Sequence, residues 1–168
     1  LPHYAWIQAL HRQRNLLWIG TSNGLYRYDT AGKQLRAYHT SPSPHSLTQD
    51  FITDIIETDD HRLLISTLKG FNVYREETDD FERIHSENLP KGANRGTFCD
   101  FINCMLTDQQ ALWAGTEAGG LMKITPKRLF VRNYFHITEK ATSASPHAVN
   151  AIYEDAEGYV WWEPSRAD

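Results

Sequence analysis

Leu17-Trp18-Ile19-Gly20-Thr21-Ser22-Asn23-Gly24-Leu25-Tyr26-Arg27-Tyr28-Asp29 holds two runs of branched and aromatic residues, 17–21 and 25–28, around a polar Ser-Asn-Gly. Such runs suit a pleated, half-buried surface. Asn-Gly is a strong hairpin signal because both residues accept positive φ, so a β-hairpin is expected here. Its first half returns as Leu63-Leu64-Ile65-Ser66-Thr67 and as Leu112-Trp113-Ala114-Gly115-Thr116, and begins again at Val160-Trp161. With Trp18, Leu64, Trp113 and Trp161 taken as equivalent, the intervals are 46, 49 and 48 residues.

The likeness extends both ways from that anchor. Twelve residues before it stand Trp6, Ile52, Phe101 and Val149, and nine before it Ala9, Ile55, Cys104 and Ile152, all apolar or small. After it come Gly24, Gly70 and the pair Gly119-Gly120, followed by Leu25, Phe71 and Leu121. The doubled glycine is a one-residue insertion at a turn, where insertions are tolerated. Ahead of each hairpin a further strand is expected, Trp6 to Leu10 in the first unit, joined by polar turns at His11 to Asn15, Thr58 to Arg62, Thr107 to Gln110 and Asp155 to Gly158. A fourth strand follows at Gln34 to Tyr38, Phe81 to Ile84 and Leu129 to Tyr134.

A repeat of about 40–50 residues with four short antiparallel strands is a β-propeller blade. Helical repeats would need apolar residues every three to four positions over about 10–14 residues, and Gly, Pro, Asn and Asp interrupt this chain too often. The expected fold is all-β: a β-propeller fragment of about three and a half four-stranded blades, an incomplete ring with units near 4–40, 50–86, 99–135 and a truncated 147–168. The fourth unit breaks off at Trp162-Glu163-Pro164, because proline cannot donate to a strand ladder. Propellers close with about 4–8 blades. The open ends are therefore expected to meet either the rest of a longer propeller or another copy in a homo-oligomer.

Composition narrows the partners. The 168 residues carry 17 Lys+Arg against 21 Asp+Glu, a formal charge of −4. With no basic surplus to neutralise phosphates, nucleic acid and anionic membrane surfaces are poor partners. Apolar residues at 40% and aromatics at 12% can fill a core. No run approaches the ~20 consecutive apolar residues of a spanning helix. Leu1-Pro2-His3-Tyr4 shows neither an initiator Met nor a leader pattern, which reads as a processed or excised piece. On an extended strand Cys99 and Cys104 would lie ~16 Å apart, beyond the ~4.4–6.8 Å of a disulfide. Two thiols are expected, with Cys104 buried.

Residues 17–29 resemble the two-component regulator propeller repeat, whose consensus runs from an acidic turn through Leu-Trp-Ile-Gly-Thr and a Gly-Leu pair to a Tyr-Asp end. Leu112 to Ile124 is a second good copy, and Ile152 to Trp161 matches the turn leading into another. The copy at 63–67 is degenerate, with Leu64 for Trp and Ser66 for Gly. The resemblance implies the periplasmic, ligand-sensing ectodomain of a membrane receptor, most often a hybrid histidine kinase of gut Bacteroidetes that detects oligosaccharides from polysaccharide breakdown. It implies a non-catalytic fragment whose partners are the rest of the ectodomain and an oligosaccharide, with no cofactor. The kinase, receiver and DNA-binding segments of such receptors have no counterpart in these residues. Two rivals are a protein-interaction scaffold, whose Gly-His and Trp-Asp signatures are lacking, and a propeller-type polysaccharide lyase or glycosidase, which fold alone does not assign.

Candidate chemistry is sparse. Trp18, Leu64, Trp113 and Trp161 recur at a structural period, which marks core packing between blades before sugar stacking. Gly20, Ser66 and Gly115 suggest close approach of neighbouring blades, and Thr21, Thr67 and Thr116 combine strand propensity with a hydroxyl bond to a turn. The eight histidines show no metal-ligand spacing, so no metal is expected. Asp59-Asp60 and Asp79-Asp80 read as solvated turns, and Gly119-Gly120 lacks the lysine and helix of a phosphate loop. Between the apolar positions of the inner strands sit Gln8, Asp54, Asn103 and Asn150. They are expected to line the central channel, as water-bound lining or as hydrogen-bonding partners of a polar ligand. The stretches His39 to Gln49, Ser86 to Gly96 and Thr138 to His147 read as long, variable loops of the kind that carry binding surfaces.

Overall fold

The computed structural model describes residues 4–87, 89, 98–108, 111–125, 130–134 and 148–164. Among them are fourteen strands and no helix. Sheet 1 contains β1 (Ile7–Gln13), β2 (Leu16–Thr21), β3 (Gly24–Asp29) and β4 (Gln34–Tyr38). Sheet 2 contains β5 (Ile52–Glu57), β6 (Leu63–Thr67), β7 (Gly70–Arg75) and β8 (Asp80–Ile84). Sheet 3 contains β9 (Ile102–Thr107), β10 (Leu112–Thr116), β11 (Leu121–Thr125) and β12 (Phe130–Tyr134), and sheet 4 the pair β13 (Val149–Glu154) and β14 (Val160–Pro164). Within each sheet the strands follow in chain order, each antiparallel to the last. The first strands β1, β5, β9 and β13 are neighbours from sheet to sheet. Each sheet therefore extends outward from an inner strand, which is the expected partial propeller. Most of the loop Ser86 to Gly96 and all of Thr138 to His147 lie outside the described residues.

Hydrophobic layers form between consecutive sheets. Trp18, Leu25 and Tyr38 of sheet 1 pack on Ile52, Ile55, Leu63, Ile65 and Phe81 of sheet 2. Leu64 and Phe71 point the other way, onto Ile102, Met105, Leu112 and Ile124 of sheet 3. Side chains alternate across a strand, so the unbroken run Leu63-Leu64-Ile65 feeds both layers and is buried throughout. Trp113 and Leu121 then meet Val149, Ile152 and Trp162 of sheet 4. The anchor position thus faces the next sheet, as expected for Trp18, Leu64 and Trp113. Trp161 departs from this. It is 61% exposed, because no sheet follows sheet 4 among the described residues, and its indole Nε1 donates to Asp155 Oδ2 at 2.6 Å.

Small residues set the distance between sheets. A Cβ on Gly20 would stand 2.6 Å from Ile52 Cγ2 of sheet 2, and one on Gly115 2.8 Å from Val149 Cγ1 of sheet 4. In sheet 2 the equivalent Ser66 bonds Thr53 Oγ1 at 2.8 Å. The threonines close the hairpins as expected: Thr21 Oγ1 donates to Gly24 O at 2.8 Å and accepts from Asn23 N at 3.0 Å. Thr67 repeats this with Gly70 and Lys69, and Thr116 with Gly120 and Gly119. Positive φ falls on Gly24, at 102°, and not on Asn23. The turn is therefore Ser22-Asn23, closed by a positive-φ glycine that pairs with Thr21, in place of the expected Asn-Gly turn.

The inner strands correct the expected register. β1 begins at Ile7, after Trp6, and runs through Gln13, so the turn is only Arg14-Asn15, with Arg14 at φ 54°. Trp18 pairs with His11, Leu64 with Ile56, Trp113 with Leu106 and Trp161 with Tyr153. Sheets 2 and 4 therefore carry one more residue between the paired positions than sheets 1 and 3. A constant offset from the anchor cannot align them. The residues equivalent to Ile52 are Ile7, Ile102 and Val149, opposite Thr21, Thr116 and Pro164, and not Trp6 and Phe101.

The acidic pair Asp79-Asp80 is likewise more than a solvated turn. Asp79, at φ 53°, bridges sheets 1 and 2. Its Oδ1 accepts from Tyr38 OH at 2.6 Å, Tyr74 OH at 2.7 Å and Arg27 Nη1 at 3.0 Å, and its Oδ2 pairs with Arg36. Trp18 stacks on Tyr38 and meets Tyr74 edge-on, with the Arg27 guanidinium 5.6 Å from its ring. Burial and the Asp79 hydrogen bond push the Tyr74 hydroxyl up to about 12 and Tyr38 further. Between sheets 2 and 3 the positions of Arg27, Tyr38 and Tyr74 are held by Val73, Ile84 and Ile124, and the layer is apolar. Asp80 is held by Arg75 through both carboxylate oxygens, at 2.7 and 2.8 Å.

Candidate ligand-binding face

One residue near the start of each inner strand has no partner across the ladder: Gln8, Thr53, Asn103 and Asn150, each skipped between its paired neighbours. Such a bulge bends the strand and re-aims a side chain. Three of the four sequence candidates therefore share one position. Gln8 and Asn150 are exposed there, and Asn103 is half-buried. Asn103 Nδ2 donates to Asn150 Oδ1 at 3.3 Å, Glu117 Oε2 at 3.2 Å and Val149 O at 3.3 Å, joining sheets 3 and 4.

Asp54 stands apart from them. It lies one residue further in, opposite Ser66, at the position of Ala9, Cys104 and Ala151. Its Oδ1 accepts from Ile55 N at 2.8 Å and its Oδ2 from Met105 N at 2.7 Å. This carboxylate spans the gap from β5 to β9. Burial pushes its pKa up, against the pull of those two hydrogen bonds. Cys104 is half-buried where full burial was expected, and both cysteines are free thiols. Burial, with the Asp54 charge adding to it, pushes the Cys104 thiol to about 12.

Aromatic residues complete this end of the sheets, and the expected register aligned two of them, Trp6 and Phe101, with Ile52. Trp6, Phe51 and Phe101 each immediately precede the residue opposite the hairpin threonine. Trp6 is 74% and Phe101 53% exposed, and Phe51 is half-buried. Their backbones are tied to the hairpins: Trp6 O accepts from Ser22 N at 2.9 Å and Phe101 O from Glu117 N at 3.0 Å. Asp50 and Asp100, which precede Phe51 and Phe101, accept from Gly24 N and Gly70 N through their carbonyls, each at 2.7 Å. The Asp100 carboxylate also accepts from Ser86 N at 2.8 Å, as Asp50 does from Thr40 N at 2.6 Å. Asp50-Phe51-Ile52 and Asp100-Phe101-Ile102 are a repeat in their own right. Aligning on them, with Trp6-Ile7, would have found the position.

This face offers neutral amides, backbone groups and aromatic rings, which is chemistry for binding. Among the described residues no three His, Cys, Asp or Glu side chains gather so as to hold a metal ion. No described helix is long and apolar enough to cross a membrane.

Solved structures share this architecture. The extracellular domain of BT3049 from B. thetaiotaomicron, named as a hybrid two-component system, matches with a TM-score of 0.76 at 20% identity, over 93% of this chain and 20% of that one. Two structures of the extracellular domain of BT4673 from the same organism match as well. One, named as a one-component system, has a TM-score of 0.74 at 25% identity over 94% of this chain and 22% of that one. The other, named as a hybrid two-component system, has 0.60 at 21% over 93% and 25%. The chain has the fold of two-component-system extracellular domains and spans about a fifth to a quarter of their length. They are the class of protein that the Leu-Trp-Ile-Gly-Thr repeat resembles. No protein-family model and no curated protein matches the chain.

Proposed function

We propose that this chain is a ligand-sensing segment of the extracytoplasmic region of a two-component sensor, that its ligand is an oligosaccharide, and that it is not catalytic. The observation that carries the reading is the structural likeness to the extracellular domains of hybrid two-component systems over 93% of the chain. A ligand biases the receptor by binding one of its two signalling geometries more tightly than the other. The bulge-end face supplies uncharged polar groups suited to sugar hydroxyls. The periplasm is the compartment this reading gives it.

The test is to pass polysaccharide digests over the immobilised chain and to analyse both the retained fraction and the flow-through. Retention of intact oligosaccharide with no new reducing or unsaturated ends is the expected result. New chain ends would make it an enzyme, and failure to retain any saccharide would overturn the ligand class.

A further inference from the structure

Trp6, Phe51 and Phe101 hold one equivalent position in three successive sheets and belong to none of the inter-sheet layers. In sheet 4 that position is Ala148, which is buried. Trp6 and Phe101 are exposed and Phe51 is half-buried, and exposed apolar groups rimmed by polar residues mark binding surfaces. The polar residues here are the bulge amides Gln8 and Asn150, both exposed.

We propose that this face binds a neutral oligosaccharide along its length, with Trp6, Phe51 and Phe101 stacking on sugar rings while Gln8 and Asn150 bond hydroxyls. This rests on the ligand class proposed above and adds the site. A pyranose has an apolar C–H face and a polar rim, which an aromatic ring and an adjacent amide match together. The spacing suits a periodic ligand. The inner strands that precede the hairpins lie side by side from sheet to sheet, so the rings recur once per sheet along the face. Asp50, Asp100 and Glu117 at the same end, against the single Lys69 of the hairpin turns, disfavour sulfated and uronic chains. The carbonyls of Trp6, Phe101, Asp50 and Asp100 are already bonded to the hairpins, so the rings are carried on backbone fixed before the ligand arrives.

Calorimetric titrations of the 168-residue chain with cello-, manno-, xylo- and maltohexaose, and with the matching disaccharides, test this. Trp6→Ala and Phe101→Ala are compared with Tyr159→Ala, an exposed aromatic in the β13–β14 turn at the other end of the inner strands. Circular dichroism confirms that each variant is folded. The expected result is that a hexaose binds about tenfold or more tightly than its disaccharide, that either site variant weakens it about tenfold or more, and that Tyr159→Ala leaves it unchanged. Hexaose binding indifferent to both site variants would overturn this site and leave the saccharide reading standing. Binding of none of the hexaoses would overturn the site and count against the saccharide reading as well.

Discussion

Asp79 gathers four donors from sheets 1 and 2, and its removal leaves a half-buried Arg27 without its carboxylate. Asp79→Asn is expected to cost about 1–3 kcal/mol of stability, read as a lowered urea midpoint at neutral pH. Its carboxyl lies below the ordinary 3.8: burial alone would raise it, and the Tyr38 and Tyr74 hydrogen bonds with the Arg27 and Arg36 charges more than reverse that. A depressed carboxylate stabilises the fold above its unfolded value and loses that contribution as pH falls through its folded value. The wild-type midpoint should therefore drop as pH falls below about 4, and Asp79→Asn should flatten part of that drop. An unchanged slope in the variant would remove Asp79 from the account of acid sensitivity. Asp54 acts in the opposite sense. Its raised pKa is a contribution fully present below the unfolded value and lost as pH rises through the folded one. Cys104, pushed to about 12, is expected to resist a maleimide at pH 7.5 in the folded chain and to react once urea unfolds it. Rapid native labelling at Cys104, read by peptide mass, would contradict its placement.

At the scale of the strand, the pattern of Leu17 to Asp29 states its own conformation. The branched and aromatic runs predict the two strands, threonine predicts the hairpin lock, and glycine at a fixed distance predicts the turn. These were legible because each depends on residues a few positions apart. The inner strands were not, since their register depends on a turn whose length alternates, and a fixed offset aligned Trp6 and Phe101 with Ile52 in place of Ile7 and Ile102. The role of Asp79 was hidden for a related reason. Its partners Arg27, Arg36 and Tyr38 lie more than forty residues away, and no local pattern marks a turn as an inter-sheet tie. The spacing between elements also carries a test. Gly20→Ala would push a methyl to 2.6 Å from Ile52 Cγ2, and the overpacking is expected to cost about 1–3 kcal/mol. Pairing it with Ile52→Val should recover part of the loss, and a pair no better than the single change would show that the contact is not what limits the approach.

The molecule as a whole repeats positions without repeating their energetic weight. Leu10 and Ile55 hold the same place in β1 and β5, opposite Ile19 and Ile65. Leu10 is 60% and Ile55 4% exposed. Ile55→Ala is expected to cost about 2–4 kcal/mol and Leu10→Ala under about 1 kcal/mol in chemical denaturation of the chain by itself. Comparable losses would mean that another copy covers sheet 1, which light scattering on the same sample would reveal. The alternating turn has a longer reach. From the residue opposite the hairpin threonine, or opposite Pro164 in sheet 4, to the partner of the anchor there are four steps in every sheet, Ile7 to His11, Ile52 to Ile56, Ile102 to Leu106 and Val149 to Tyr153. Extra residues are taken up wholly beyond that point, at the far end. Length changes there are silent at the aromatic end, so descendants of one ancestral unit could drift in size while the surface they jointly present kept its spacing.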